Sequence, residues 1–200
     1  SAGAISNIIF ISDATFKLSN ASVNLYGGRV GSGNSSSNTL EFSGTIEAVN
    51  AGGIFRAYLY GGFADTGSAG ANHLVLDRNV SINAPDRMEL YGGYAAGSSG
   101  SAYSNEVSLT GSALTLSGGI FISGGYSVYG SVYKNSLSLD NATITSGGSA
   151  GISLYGGQAG ADNGAAYSNE VSITKSTLTS GSGGISSSRS KISGVLTVSR

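Results

Sequence analysis

Apolar and polar residues alternate along this chain in short bursts, and the bursts recur at nearly constant intervals. Asn7 precedes Ile9 and Ile11, Asn38 precedes Leu40 and Phe42, and Asn72 precedes Leu74 and Leu76. Asn105 precedes Val107 and Leu109, Asn135 precedes Leu137 and Leu139, and Asn169 precedes Val171 and Ile173. Alternation of this kind predicts a short strand with one buried face. A small polar turn follows each burst, such as Ser43-Gly44, Asp77-Arg78 or Asp140-Asn141. A second alternating pair comes next: Phe16/Leu18, Ile46/Ala48, Val80/Ile82 and Leu114/Leu116, then more weakly Ala142/Ile144 and Leu178.

The third strand of each unit carries the second landmark. It reads Leu25-Tyr26-Gly27-Gly28, Leu59-Tyr60-Gly61-Gly62, Leu90-Tyr91-Gly92-Gly93 and Leu154-Tyr155-Gly156-Gly157. A degenerate copy, Ile122-Ser123-Gly124-Gly125, keeps the glycines and loses the tyrosine. A fixed period of about 32 residues is the mark of a repeat architecture. Three strands in such a unit could form a meander, but a meander does not require equivalent residues to recur in register. A coil stacks each strand on its counterpart about 4.8 Å along an axis, placing like on like. Leu25, Leu59, Leu90, Ile122 and Leu154 then form one inward column, and Leu40, Leu74, Val107, Leu137 and Val171 another.

The expected fold is therefore an all-β, right-handed parallel β-helix (a β-solenoid) with three short strands per coil and about six coils, its hand following the general crossover rule. Residues 1–200 form one domain with repeats 7–37, 38–71, 72–104, 105–134, 135–168 and 169–200. The aligned Asn7, Asn38, Asn72, Asn105, Asn135 and Asn169 are expected to make an amide ladder at a bend, where asparagine tolerates left-handed backbone. The glycines of Tyr26-Gly27-Gly28, Tyr60-Gly61-Gly62, Tyr91-Gly92-Gly93, Gly124-Gly125 and Tyr155-Gly156-Gly157 are expected to close the third strand at the sharpest corner by adopting positive φ.

The long bend after those glycines varies between nine and eleven residues, and variable loops on one edge of a solenoid are usual binding sites. Within it lie Phe63, Tyr94 and Tyr126 just after the glycines, with Tyr103, Tyr133 and Tyr167 two residues before the asparagines. These six are the candidate ligand or partner contacts. The competing reading is that they pack over the corner and stack on each other.

Composition narrows the class. Charged residues make up 10% of the chain against a usual value of about 25%. With 40% apolar residues, that balance opposes disorder. The net charge of −1 gives no electrostatic case for nucleic acid or anionic lipid. No apolar run approaches the roughly 20 residues of a membrane helix, and the strands are shorter than an outer-membrane barrel needs. Ser1-Ala2-Gly3 does not begin a signal-peptide pattern, and no cysteine is present, as suits a mature exported bacterial protein.

With these landmarks in hand, the chain resembles the repeat region of bacterial autotransporter passengers and related large surface adhesins. Those carry units of the type Asn-x-Val-x-Ile … Gly … Val-Tyr-Gly-Gly-Tyr-Ser-x-Gly. Ala102-Tyr103-Ser104-Asn105-Glu106-Val107-Ser108-Leu109 and Leu90-Tyr91-Gly92-Gly93-Tyr94 match that form. The likeness covers nearly the whole chain and implies export, with an extracellular or bacterial cell-surface location. No stretch of the 200 residues is patterned as a translocation barrel.

No catalytic constellation is expected. A polysaccharide lyase or hydrolase needs clustered carboxylates, whereas Glu106 and Glu170 share a phase two coils apart and the other acids scatter. Asp77, Arg78, Asp86, Arg87 and Glu89 form the densest charged group, expected to pair on a solvated turn. His73 is the sole histidine, expected in solvent, so a transition-metal site lacks ligands. Calcium is the one metal considered, at Gly156–Asp162, where the spacing departs from the calcium-binding nonapeptide of toxin repeats. No cofactor is expected.

The ends add one expectation. Neither carries an obvious cap, and Lys191–Arg200 alternates like a further strand, so the chain is either part of a longer passenger or pairs with its own copies. The leading reading is a non-enzymatic structural repeat protein that self-associates head-to-tail into a surface fibre or stalk. An adhesin holding glycan or host protein on its Tyr-rich loops comes second, and a polysaccharide-cleaving enzyme a distant third.

Overall fold

A computed structural model describes residues 3–49, 55–83, 86–147, 149, 151–160, 164–188, 190–192 and 197–199, with side chains through residue 187. It is all-β, with no helix among the described residues, and its strands pair in parallel throughout. Three sheets run along the axis. One stacks the third strands: Ser22–Val30, Arg56–Ala64, Arg87–Ala95, Gly119–Ser127, Ile152–Ala159 and Ile185–Ser188. Six stacked third strands correspond to about five full turns of solenoid. A second sheet carries the first and second strands together, because in the first two coils they run on as Ile8–Leu18 and Thr39–Ala48. From the third coil onward they separate, as in Glu106–Thr110 and Ala113–Leu116.

The third sheet was not expected from the sequence. It consists of two-residue strands just ahead of the asparagines: Ala4–Ile5, Ser35–Ser36, Ala69–Gly70, Ala102–Tyr103, Val132–Tyr133 and Ala166–Tyr167. Two residues are too few for alternation to show, and the stretch reads as part of the long bend.

The inward columns stack as the pattern requires. Leu25 pairs with Leu59, Leu59 with Leu90, Leu90 with Ile122 and Ile122 with Leu154. Leu40, Leu74, Val107, Leu137 and Val171 do the same on the first strands. These columns, with Phe42, Ile46, Phe55, Met88 and Leu114, form one continuous core in which most members are fully buried. Each such side chain contributes about 1.5–3 kcal/mol by leaving water, while parallel pairing fixes the rise per coil.

Two expectations about backbone are corrected. The left-handed residue at the corner is not the asparagine but the residue before it: Ser6, Ser37, Ala71, Ser104, Lys134 and Ser168, with φ between 53° and 57°. Turning one residue early keeps the asparagine out of the left-handed region, and its N–H and side chain both bond across coils. The paired glycines are also not at a strand end and do not have positive φ. They sit in mid-strand, and the section below gives the reason they must lack a side chain.

The last turn departs from the others. Ser188 pairs with Tyr155 and Ser190 with Val171. Fifteen residues (156–170) join those positions in the preceding coil, but only residue 189 joins them here. The corner sheet therefore stops at Ala166–Tyr167, and Tyr167 is 49% exposed.

Ala71 holds a left-handed conformation that costs a residue with a Cβ about 1–2 kcal/mol. Ala71→Gly should therefore raise stability by roughly 0.5–1 kcal/mol after allowing for the greater freedom of glycine in the unfolded chain. Urea unfolding checks this, and a lower midpoint for Ala71→Gly would contradict the corner geometry.

Candidate functional site

The six asparagines do form a ladder, and its bonding is complete at each interior step. In Asn72, the backbone N–H and the Nδ2 both donate to Oδ1 of Asn105, each at 3.0 Å. The other Nδ2 proton reaches back to the Ser35 carbonyl at 3.0 Å. Asn38 bonds Asn72 in the same way at 3.1 and 2.9 Å, Asn105 bonds Asn135 at 2.9 Å twice, and Asn135 bonds Asn169 at 3.0 and 2.9 Å. Asn7 joins the same run through Asn38 Oδ1. Each interior amide thus touches three coils, and Asn38, Asn72, Asn105 and Asn135 are buried with donors and acceptors used.

The glycines explain where these amides fit. A Cβ on Gly93 would overlap the carboxamide of Asn105, and a Cβ on Gly92 would strike the carbonyls of Gly124 and Glu106. The same pairing joins Gly28 to Asn38, Gly62 to Asn72, Gly125 to Asn135 and Gly157 to Asn169. The second glycine is a seat for the amide, and the first lets the third strand approach the first strand's backbone. Strand pairing is continuous on either side of the first glycine and has no partner at it, so the strand bends there.

That bend puts the residue before the glycines and the residue after them on one outer surface. Tyr26 and Tyr60 stack at 4.9 Å and Tyr60 and Tyr91 at 5.4 Å. Phe63, Tyr94 and Tyr126 stack alongside at 5.0 and 5.1 Å. The two columns meet edge to face, as in Tyr91–Tyr94 at 4.9 Å. Such packing adds about 0.5–1.5 kcal/mol per pair beyond area. Arg29 lies over Tyr26 and Phe63, 5.3 Å from each ring, and also contacts Asp65.

Where the degenerate repeat puts Ser123 in the tyrosine column, Phe121 leans in from two residues earlier and contacts Tyr91 and Tyr155 at 5.5 and 5.4 Å. Phe121 was missed in the sequence. Its outward phase, two residues ahead of Ser123, was the available signal.

Outward-facing tyrosines are consequently buried by each other: Tyr60 is 7% exposed and Tyr91 4%. Glu89 lies against this strip, bonded by the Tyr91 hydroxyl at 2.7 Å and paired with Arg87 at 2.6 Å. Burial pushes the Tyr91 hydroxyl far above its ordinary range, and the Glu89 charge adds to the effect. Burial does the same to Tyr60, with Tyr26 second, and it raises Tyr94 to about 12 with help from Tyr126 and Glu89. The remaining candidates form a separate column, Tyr103–Tyr133–Tyr167, stacked at 5.5 and 5.2 Å, in which Tyr103 and Tyr133 are half-buried and Tyr167 is exposed. The Tyr103 ring occupies the space a side chain on Gly70 would need.

The charged candidates resolve differently. Asp77 accepts the Arg78 N–H at 2.7 Å in the turn after the first strand, while Arg87 and Glu89 pair on the third. They are not one solvated turn, because Glu89 is only 9% exposed. His73 is partly solvent-exposed, with Nδ1 3.3 Å from Glu106. Glu106 and Glu170 share a column with Ser136 between them. Among the described residues no three His, Cys, Asp or Glu side chains converge on a metal site; Asp162 of the calcium candidate lies outside them.

Comparison with known protein families, curated proteins and solved structures finds no match. The functional reading rests on geometry.

Two measurements test this geometry. Gly93→Ala and Asn105→Ala should each destabilise the chain by about 2–4 kcal/mol. Combined, they should cost at least ~1 kcal/mol less than their sum, because removing the amide frees the space the methyl needs. Additive costs would separate the glycine from the ladder. For the tyrosines, a raised folded-state pKa contributes stability that is complete below the unfolded value, about 10, and is lost as pH rises through the folded value. Unfolding midpoints should thus hold up to about pH 10 and fall between pH 10 and 12. Phenolate absorbance should rise together with loss of sheet signal, and ionisation of all tyrosines without unfolding would contradict it.

Proposed function

We propose that this chain is a non-enzymatic structural solenoid of an extracellular or bacterial cell-surface protein, a rod that extends by laying end coil on end coil into a fibre or stalk. The observation that carries the reading is the repetition of the aliphatic columns and the amide ladder at every interior step, covered along most of its length by the aromatic strip. Side chains that an adhesive surface would have to offer are engaged with each other instead. Phe63, Tyr94 and Tyr126 support the rod rather than a ligand.

The partner is a second copy. Described strands from Ala4 to Ser187 stack six deep in the corner and third-strand sheets, so a copy starting again at its own corner strand would continue the register. Ile5, 63% exposed, heads the column that Tyr167 ends, and Asn7 heads the ladder that Asn169 ends. In this arrangement the strands Ser190–Ile192 and Thr197–Ser199 occupy the layer that the second copy would take. Heterologous contacts that do not close build filaments.

A second reading keeps one specific support: the Tyr103–Tyr133–Tyr167 column ends in an exposed ring at Tyr167, and in an adhesin it would face a glycan or host protein.

Negative-stain electron microscopy across a dilution series tests the first reading, using the full chain and a variant ending at Ser187. Filaments with an axial repeat of roughly 29 Å, longer for the shortened variant, are the expected result. Separate short rods from both chains at every concentration would sink the self-association proposal.

A further inference from the structure

A cleft opens on the outer surface where the degenerate repeat breaks the side-chain columns. The outward positions ahead of the tyrosines form the column Tyr58–Glu89–Phe121–Ser153. Phe121 leans out of this column to fill the place of the missing tyrosine at Ser123, and Ser153 beneath it is small. The neighbouring column runs Arg56, Arg87, Gly119, so it too loses its side chain at this level. The result is a cleft of about 300 Å³ lined by Asp86, Arg87, Gly119, Ile120, Phe121 and Ser153.

Its polar groups are held from behind. Asp86 Oδ2 accepts the Phe55 N–H at 3.0 Å, and its other oxygen stands 3.5 Å from the Ser117 hydroxyl. Arg87 donates through Nε to Glu89 at 2.6 Å, and Glu89 is itself fixed by the Tyr91 hydroxyl. The guanidinium is therefore oriented by one edge while its side chain remains 60% exposed. The Phe121 ring supplies an apolar wall, Ile120 being turned into the core, and Ser153 adds a hydroxyl. A concave apolar site with a few oriented polar groups is the usual form of a small-molecule site, and this one lies at the small end of the range, about 300–1,000 Å³.

We propose that this cleft binds a single neutral sugar ring. The lining contributes one carboxylate and one guanidinium, and the guanidinium is already paired with Glu89, so the cleft offers no net positive charge to an anion. A carboxylate that accepts beside a fork that donates matches adjacent sugar hydroxyls, each of which can do either. The apolar wall suits the C–H face of the ring, and the volume admits one ring rather than a chain. The site adjoins the aromatic strip through Phe121, whose ring meets Tyr126 edge to face at 6.1 Å, and it does not depend on self-association. A rod that never polymerises could bind sugar here, and a fibre could form with the cleft empty.

Saturation-transfer NMR on the full chain tests it, with millimolar methyl glycosides of glucose, galactose, mannose and N-acetylglucosamine. Ser153→Phe fills the cleft from an outward position, and Arg87→Lys keeps the charge opposite Glu89 while removing the fork. Transfer to at least one glycoside is expected, with affinity at least tenfold weaker in Ser153→Phe and severalfold weaker in Arg87→Lys. Thermal midpoints should be unchanged; if Ser153→Phe melts early, Arg87→Lys alone decides. Absence of transfer from every glycoside, equal transfer in the variants that keep the wild-type midpoint, or displacement by sodium sulfate would each overturn the proposal. The last would make the cleft an anion site.

Discussion

A buried carboxamide has four hydrogen-bonding positions to satisfy, and in this solenoid each interior asparagine finds its partners in the coils on either side. The rest of the structure depends on that constraint. An amide out of register by one residue would lose its partners in a dry interior, at a cost of about 1–3 kcal/mol for each group left unmade. Aliphatic columns alone would not hold register so firmly, since Leu, Ile and Val replace one another with small loss. The ladder fixes which residue faces which, and the hydrophobic columns supply most of the driving force.

The ladder in turn dictates the third strand. For the amide column to be covered, the third strand must come close enough that no side chain fits between, hence glycine opposite each asparagine. Closing that gap bends the strand, and the bend brings residues three apart, such as Tyr91 and Tyr94, together on the outside. The aromatic strip is thus a consequence of the amide ladder. It shields the thin, side-chain-free stretch of backbone from water on the opposite face, which accounts for tyrosines with 4–7% exposure on an outer surface.

Most of the fold was legible in the sequence, because like-on-like stacking writes the same residue at the same phase in every coil. The columns at Leu90 and Val107 and the asparagine ladder follow from period alone. What could not be read were features in which a residue's reason lies in a different strand. Paired glycines suggest φ freedom when seen one-dimensionally; only the proximity of Gly93 to Asn105 shows that the reason is space. The left-handed residue could not be found either, since Ser37, Ala71 and Lys134 have no common chemistry. Glu89 looked solvated because its alternation points outward, and burial by neighbouring rings on the same face leaves no trace in a periodicity.

Departures from the repeat carry a different kind of information. A solenoid in which every coil is identical has ladders but few pockets, since each position is filled by its own counterpart above and below. A broken column opens a cleft at the degenerate repeat. Ser123 for tyrosine is a loss that Phe121 compensates, and the compensation moves the vacancy sideways to Gly119 and Ser153, where Asp86 and Arg87 already stand. Stability argues for keeping the column regular, because the regular tyrosine buries more ring surface than serine can. The coil that gives up that contact is accordingly the coil in which a binding role is most economically placed, while its regular neighbours hold the rod straight around it.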